Sequence, residues 1–455
     1  MFKKSLTLFV TLVLLLALVT ACAGDNGETA PQGGGGAAEA DETNGGDEAD
    51  EIDEITTLSF LRWGSDLQPT AIEEAALAIN PDLAARMRLE VTVAPDGTYG
   101  VARAIRLSLA AGETLPDIVQ LNYDNMPEFA QAGVLRDLGW LWEDYLDAVS
   151  PAVLEMAKWH GTFYNIPGAP KTRLWFYRAD IFEEAGIDAH AVRTLDDFIA
   201  AGRQLQEVFP DSFIDLRPPT VSRLFFFGIL SELEVQFADA DGNYILVDQP
   251  GFIAAMEAVK AIYDADILGD LAEFTPEWEN AFAEGHLVAT INFDWLQRFL
   301  PDIAPDQASL WSVAQVPSLA GGVGGSDNFA DIYVFFYDIE NFDLAIEYVR
   351  RIRLDHDTSL AAFDAINLTP ILNSALDDER FHTAHPFFGE AFHPQNRIAM
   401  DNILMQQATP SAQREGEIIM PYVDQFVRGE ISLEEALASI DRDLNSQIGN
   451  AYNPR

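Results

Sequence analysis

The side chains best equipped for chemistry are plentiful here but poorly matched to catalysis. Asp and Glu total 73, so carboxylates meet by chance, and paired acids alone do not specify the two-carboxylate chemistry of glycoside cleavage. The run Trp140-Leu141-Trp142-Glu143-Asp144, which joins rings to acids, is where a catalytic sugar cleft would be sought. Cys22 is the only cysteine, and no Gly-x-Ser-x-Gly run occurs, so neither a thiol in the body of the chain nor a serine elbow is on offer. His382, His385 and His393 lie close together beside Asp377, Asp378 and Glu390. Zinc uses such donors, but the segment reads more simply as surface histidines near a helical turn. Asp239-Ala240-Asp241-Gly242-Asn243 opens like a calcium loop without the closing Glu. It is better explained as an Asp-Gly turn joining Val235-Gln236-Phe237 to Tyr244-Ile245-Leu246 in a hairpin. Gly321-Gly322-Val323-Gly324-Gly325-Ser326 lacks the lysine of a phosphate loop.

Aromatic residues carry a stronger signal. Trp63, Tyr177 and Trp295 each fall at or just beyond the end of an expected strand. In open α/β sheets, ligands bind outside the carboxyl ends of strands. An indole there packs on the apolar face of a sugar ring while neighbouring Asp or Asn side chains bond to its hydroxyls.

The elements that must position these rings alternate strand and helix. Leu58-Ser59-Phe60-Leu61 reads as a strand, Thr70 and Glu73 as a capping box opening a helix over 70–79. A strand at 89–93, a helix over 101–111 stopped by Gly112, and a buried strand at 116–121 follow, with a further helix before Gly133. This alternation predicts an α/β unit with a largely parallel sheet. Further on, Thr194 with Asp197 opens a helix to Val208, Pro250 opens one to Asp264, and Pro276 one ended by Gly285. Strands are expected at 287–291, 310–313 and 332–336, and a helix over 341–352. The last hundred residues read as nearly all helix, with a final capping box at Ser432 and Glu435.

Composition narrows the function classes. A net charge of −46 makes nucleic acid and anionic lipid surfaces poor partners. At the N-terminus, Lys3 and Lys4 precede an apolar stretch from Leu6 to Val19. That is the layout of a secretory signal, too short and wrongly flanked for a spanning helix. Its ending, Val19-Thr20-Ala21-Cys22, resembles the bacterial lipoprotein box, in which the cysteine is lipidated. Residues 23–54, with the run Gly33-Gly34-Gly35-Gly36 and acids from Asp41 to Glu54, are too polar to repay ordering and are expected to be a disordered spacer. More than 400 of the 455 residues remain, a length that predicts two or three domains.

Five stretches in order resemble the family 1 extracellular solute-binding proteins, the maltose-binding-like receptors of ABC importers. They are Leu-Pro-Asp-Ile-Val from Leu115 with Phe129-Ala130-Gln131-Ala132-Gly133-Val134-Leu135-Arg136-Asp137-Leu138; Gly161-Thr162-Phe163-Tyr164-Asn165-Ile166-Pro167; Tyr177-Arg178-Ala179-Asp180-Ile181-Phe182-Glu183-Glu184-Ala185-Gly186; Thr194-Leu195-Asp196-Asp197-Phe198; and Phe282-Ala283-Glu284-Gly285 leading to Thr290-Ile291-Asn292-Phe293-Asp294-Trp295. The resemblance covers nearly everything after residue 55.

It implies a type II, two-lobe periplasmic-binding-protein-like α/β fold with a hinge between the lobes and a helix-rich C-terminal region. Residues 1–21 are then a lipoprotein signal peptide and 22–54 the lipidated cysteine with its linker. The N-terminal lobe comprises 55–166 and 309–354; the C-terminal lobe comprises 167–308 and 355–455. Carried over residue by residue, Trp295 is the ligand-stacking ring, Asp124 an acid for sugar hydroxyls, and Trp63, Ser65 and Asp66 line the cleft, with Tyr177 facing them from the other lobe. The chain departs from the family at Leu121, where the maltodextrin receptors carry an aromatic, and at Arg178-Ala179, which replace Asn-Lys. The implied function is non-enzymatic and needs no cofactor. It is capture of a small solute, a sugar or oligosaccharide, outside the cytoplasm, with delivery to membrane permease subunits and anchorage through lipid on Cys22. The alternative is a non-sugar solute, a polyamine (which acidic cleft residues would suit), a peptide or a metal, and an anchored glycosidase is the less favoured reading.

Overall fold

The computed structural model describes residues 55–64, 68–95, 97–218, 220–319, 321, 330–404 and 408–453. The expected signal segment, Cys22, the acidic linker, Ser65, Asp66 and most of the Gly321–Ser326 run lie outside the described residues.

Two sheets are built from β1 (Thr56–Arg62), β2 (Met87–Val93), β3 (Ile118–Asn122), β4 (Asn165–Pro170), β5 (Arg173–Arg178), β6 (Ala289–Phe293), β7 (Trp311–Gln315) and β8 (Ala330–Val334). The first has the order β2-β1-β3-β8-β4 and the second β6-β5-β7. Strand β1 runs parallel to β2 and β3, whereas β8 is antiparallel to both β3 and β4. In the second sheet, β6 and β7 both pair antiparallel with β5. The chain therefore passes from one sheet to the other between Pro170 and Arg173, and returns between Gln315 and Ala330. Every residue of β3, β6 and β8 is buried, as expected of strands covered on both faces.

The covering helices are α1 (Gln68–Ile79), α2 (Gly97–Ala111), α3 (Leu195–Val208), α4 (Pro250–Asp264), α5 (Leu296–Ile303), α6 (Phe342–Leu354), α7 (His356–Ile366), α8 (Phe392–Asp401), α9 (Ala412–Val427) and α10 (Leu433–Gln447). Reciprocal capping boxes open α3 at Thr194/Asp197 and α10 at Ser432/Glu435. Each satisfies amides that have no partner within the helix. Pro250 opens α4 with its ring at the first helical position, where no amide hydrogen is needed.

The first sheet is filled by a core that includes Phe60, Val119, Leu121, Ile332 and Val349. Alternation along β5 splits the second region's apolar residues between two cores. Trp175 joins Phe198, Met256, Ile291 and Ile419 on one face, while Leu174 and Phe176 join Trp278, Phe282 and Trp311 on the other. The fold is α/β with two distinct sheet-and-helix regions. Helix α7 packs against α1 of the first region, where the Asn80 side-chain amide donates to Thr358 Oγ1 at 3.0 Å.

Three local expectations are corrected. Helix α1 starts at Gln68 rather than Thr70, and Glu73 is buried instead of capping. The hairpin at 235–246 forms only as a short one: the Ile245 amide donates to the Phe237 carbonyl at 3.1 Å and the Asp239 amide to the Asn243 carbonyl at 3.0 Å, while Asp239 Oδ1 accepts the amides of Asp241 and Asn243, both at 2.9 Å. That side chain organises the turn, pairing is limited to the one Ala238–Tyr244 bridge, and a 3₁₀ turn follows at Leu246–Asp248. The Trp140–Asp144 run makes no cleft. Trp142 is buried, stacks on Phe163 at 5.5 Å, and donates its indole N–H to the Asn165 carbonyl at 3.1 Å.

Candidate functional site

A cavity of about 70 Å³ lies at the carboxyl ends of β1 and β3, where a parallel sheet leaves its ligand crevice. Strand β1 delivers Arg62 and then Trp63, β3 delivers Gln120, and β8 delivers Asp331 and Tyr333. Lys171 enters from the two-residue passage between the sheets, and Arg298 from α5. The lining thus draws on both regions of the fold.

Local geometry holds these groups tightly. Asp331 pairs with Asn122 of β3 and Ala169 of β4, and the β8–β4 register shifts between Asp331 and Ile332. Gly168 sits at that irregularity, and a Cβ there would come within 2.9 Å of Asp331 Cβ and 3.1 Å of its carbonyl oxygen. Only glycine lets β4 approach so closely. Lys171 Nζ lies 2.9 Å from Asp331 Oδ2, with both side chains almost wholly buried. The same ammonium is 5.5 Å from the centre of the Trp63 ring, within cation–π range.

Behind this pair stands Asp294, also buried, which accepts from Thr369 Oγ1 at 3.0 Å. Burial pushes its carboxyl up, against the pull of Lys171. Burial likewise pushes Arg298 down, opposed by Asp294 and Asp331 and assisted by repulsion from Arg62. Arg353 is buried nearby, where desolvation lowers it to about 10. Its guanidinium donates to the carbonyls of Pro167 and Thr369.

The residues expected from sequence are distributed unevenly around this cavity. Trp63 lines it directly. Asp124 lies just past the end of β3 and accepts from Asn122 Nδ2 at 2.8 Å. Trp295 follows Asp294 and caps α5, stacked on Phe274 at 5.3 Å and edge-on to Phe299 at 5.4 Å. Tyr177 is not brought to this group. It sits at the far end of β5, opposite Ala289 and Ser312, inside the core with Trp175 and Phe182. Sequence reasoning missed Arg62, Gln120, Lys171, Arg298 and Asp331. The available hints were the Arg62-Trp63 adjacency and the rarity of lysine, with Lys171 one of five.

The histidine segment differs from expectation, because His385 and His393 are buried rather than on the surface. His385 Nδ1 accepts the amides of Phe387 and Phe388 at 3.1 and 3.2 Å. His393 lies among Phe363, Phe381 and Phe392. Burial lowers both imidazoles to about 4, and such neutral rings serve as packing. Among the described residues, no group of three His, Cys, Asp or Glu is arranged to hold a metal ion.

Comparison with known proteins agrees with this architecture. The chain is 24% identical over 331 residues to the arabinooligosaccharide-binding protein of Halalkalibacterium halodurans, covering 68% of this chain and 72% of that one. Among solved structures, the ABC-transporter-associated binding protein of B. animalis subsp. lactis, in complex with β-1,6-galactobiose, superposes with a TM-score of 0.70 at 17% identity, covering 86% of this chain and 97% of that one. The galacto-N-biose/lacto-N-biose I-binding protein of Bifidobacterium longum gives a TM-score of 0.71 at 16% identity, over 88% and 98% of the two chains. At such identities, the structures speak for the fold alone. Identity is carried by a sequence profile, that of the bacterial extracellular solute-binding proteins, which matches residues 80–349. With that span, these two sheets and a crevice at their junction, the chain belongs to the bacterial extracellular solute-binding protein family, a family of receptors rather than catalysts.

Proposed function

We propose that this protein is the lipid-anchored, extracytoplasmic receptor of an ABC importer, which captures a sugar or oligosaccharide by closing two lobes around it. The observation that carries the reading is the cavity itself, in which Trp63 and Gln120 from one region face Arg298 from the other. Its volume of about 70 Å³ is well below the 300–1,000 Å³ that encloses a small-molecule ligand, so a sugar requires the regions to part and re-close. A solute biases that equilibrium by its differential affinity for the closed form, which demands contacts from both sides.

In this account the lobes follow the cores. One carries the first sheet with α6 and α7; the other carries the second sheet with α8 and α10. The passage at Lys171-Thr172 serves as a hinge strand. Trp63 and Trp295 supply stacking surfaces, and Asp124 accepts from hydroxyls at the rim. Lipid on Cys22 holds the receptor beside its permease, with residues 23–54 as the leash. The sugar-binding relatives support a carbohydrate solute. The three cations lining the cavity argue against a polyamine.

The test is tryptophan fluorescence or thermal shift of the soluble chain from residue 23 against sugars, polyamines and metals. A shift with sugars alone is the expected outcome. A shift only with polyamines or metals refutes the carbohydrate assignment.

A further inference from the structure

From the charges and unmet hydrogen-bonding groups around the cavity, we infer that the solute is an acidic sugar, a uronate whose carboxylate sits between Arg62 and Arg298. The inference rests on the receptor reading above and names the class of its ligand.

The chain carries 27 Lys and Arg against 73 Asp and Glu, yet Arg62, Lys171 and Arg298 converge on one small cavity whose lining contains a single carboxylate, Asp331. Lys171 is committed to Asp331 at 2.9 Å. The two guanidinium groups are not so committed. Among the described residues, neither the Arg62 nor the Arg298 side chain donates a hydrogen bond or joins an ion pair; each only lies over a ring, Phe60 and Phe299 respectively, and the buried Arg62 Nε has no partner. Arg62 is only 5% exposed, and the two cations lie close enough for Arg62 to act electrostatically on Arg298.

Carboxylates do stand behind the lining. Glu73 and Asp294 are both buried, and both feel these cations. The Arg353 guanidinium adds a further buried positive charge beside them. The background therefore does not cancel the excess at the cavity. A buried Arg62 beside a half-buried Arg298, two like charges without side-chain hydrogen bonds, is a costly arrangement. A planar carboxylate placed between them accepts from both forks in the geometry guanidinium favours.

The remaining unmet groups have the opposite polarity. Gln120 Oε1 and Asp331 Oδ1 are buried acceptors without partners. They call for donors, which sugar hydroxyls provide. Trp63 adds a ring for the apolar face of the sugar. Acceptors for hydroxyls, donors for a carboxylate and an indole for the ring face together describe a hydroxylated, carboxylated ring.

Isothermal titration of the soluble chain with digalacturonate and with galactobiose of the same linkage tests this directly, with galactose 6-phosphate and inorganic phosphate distinguishing other anions. Digalacturonate is expected to bind at least tenfold more tightly than its neutral counterpart, about 1.4 kcal/mol. Arg62→Gln and Arg298→Gln should each erase that preference, so that each variant binds the two disaccharides with the same affinity. Neither variant loses a side-chain hydrogen bond or an ion pair among the described residues, so both should melt within a few degrees of the parent without ligand. Arg62→Lys, which keeps charge but loses the fork, should retain part of the preference. Equal or tighter binding of galactobiose overturns the acidic-sugar assignment and leaves the sugar-receptor reading standing. Tighter binding of either phosphate overturns it too, and failure of both disaccharides to bind overturns both readings.

Discussion

Replacing Lys171 by Met removes the cation from an ion pair at 2.9 Å whose side chains are 6% and 7% exposed. At an effective dielectric constant of about 20, two unit charges at that separation attract by about 6 kcal/mol. Desolvating each ion costs several kcal/mol, so the intact pair contributes little net stability. The single replacement is different, because it leaves the Asp331 carboxylate buried without its counter-ion. Breaking a buried pair in this way costs about 3–5 kcal/mol. The lower end applies, since Arg298 and Arg353 also interact with Asp331. Urea unfolding should therefore place Lys171→Met about 3 kcal/mol below the parent. Lys171→Met combined with Asp331→Leu should recover most of that loss, because two apolar residues replace the pair without an orphaned charge. A single variant within 1 kcal/mol of the parent, or a double variant less stable than the single, would refute this reasoning.

Two further outcomes follow from the geometry. Glu415 is buried, accepts from Tyr244 Oη and Thr409 Oγ1 at 3.0 and 2.7 Å, and is pushed by burial from 4.5 to about 7. With its folded value raised, the native state holds the proton more tightly, so its contribution is fullest below pH 4.5 and is lost as pH rises toward 7. That loss proceeds by at most about 1.4 kcal/mol per pH unit. Glu415→Gln keeps an acceptor without the titration, so its stability should fall less steeply between pH 5 and 7 in urea titrations; parallel profiles would contradict this. Trp63→Ala should weaken sugar binding at least tenfold, about 1.4 kcal/mol, whereas Tyr177→Phe should leave affinity unchanged in the same calorimetric assay, because Tyr177 lies in the core at the far end of β5.

Much of the architecture was legible because its signals are local. The Thr194/Asp197 and Ser432/Glu435 boxes, Pro250, and the glycine after the Pro276 helix mark their helix ends within a few residues. Trp63 was legible because it follows an apolar run that could only be a strand. Lys171 and Asp331 were not, since their meeting depends on pairing β8 with β3 and β4 across more than 150 residues, and nothing local encodes that register. Arg62 reads in sequence as an ordinary strand-end charge. Its burial depends on the tertiary fold, which brings Ile72, Asp331 and Arg298 to the same cavity. Tyr177 illustrates the reverse: it looked like a strand-end ring, but the antiparallel pairing of β5 places its end away from the crevice.

The central claim, that solute is bound by lobe closure, is tested most directly by small-angle X-ray scattering of the soluble chain with and without the tightest-binding sugar. The account predicts a smaller radius of gyration on saturation, with the contraction abolished by Trp63→Ala at the same sugar concentration. Saturable sugar binding with an unchanged radius would contradict it.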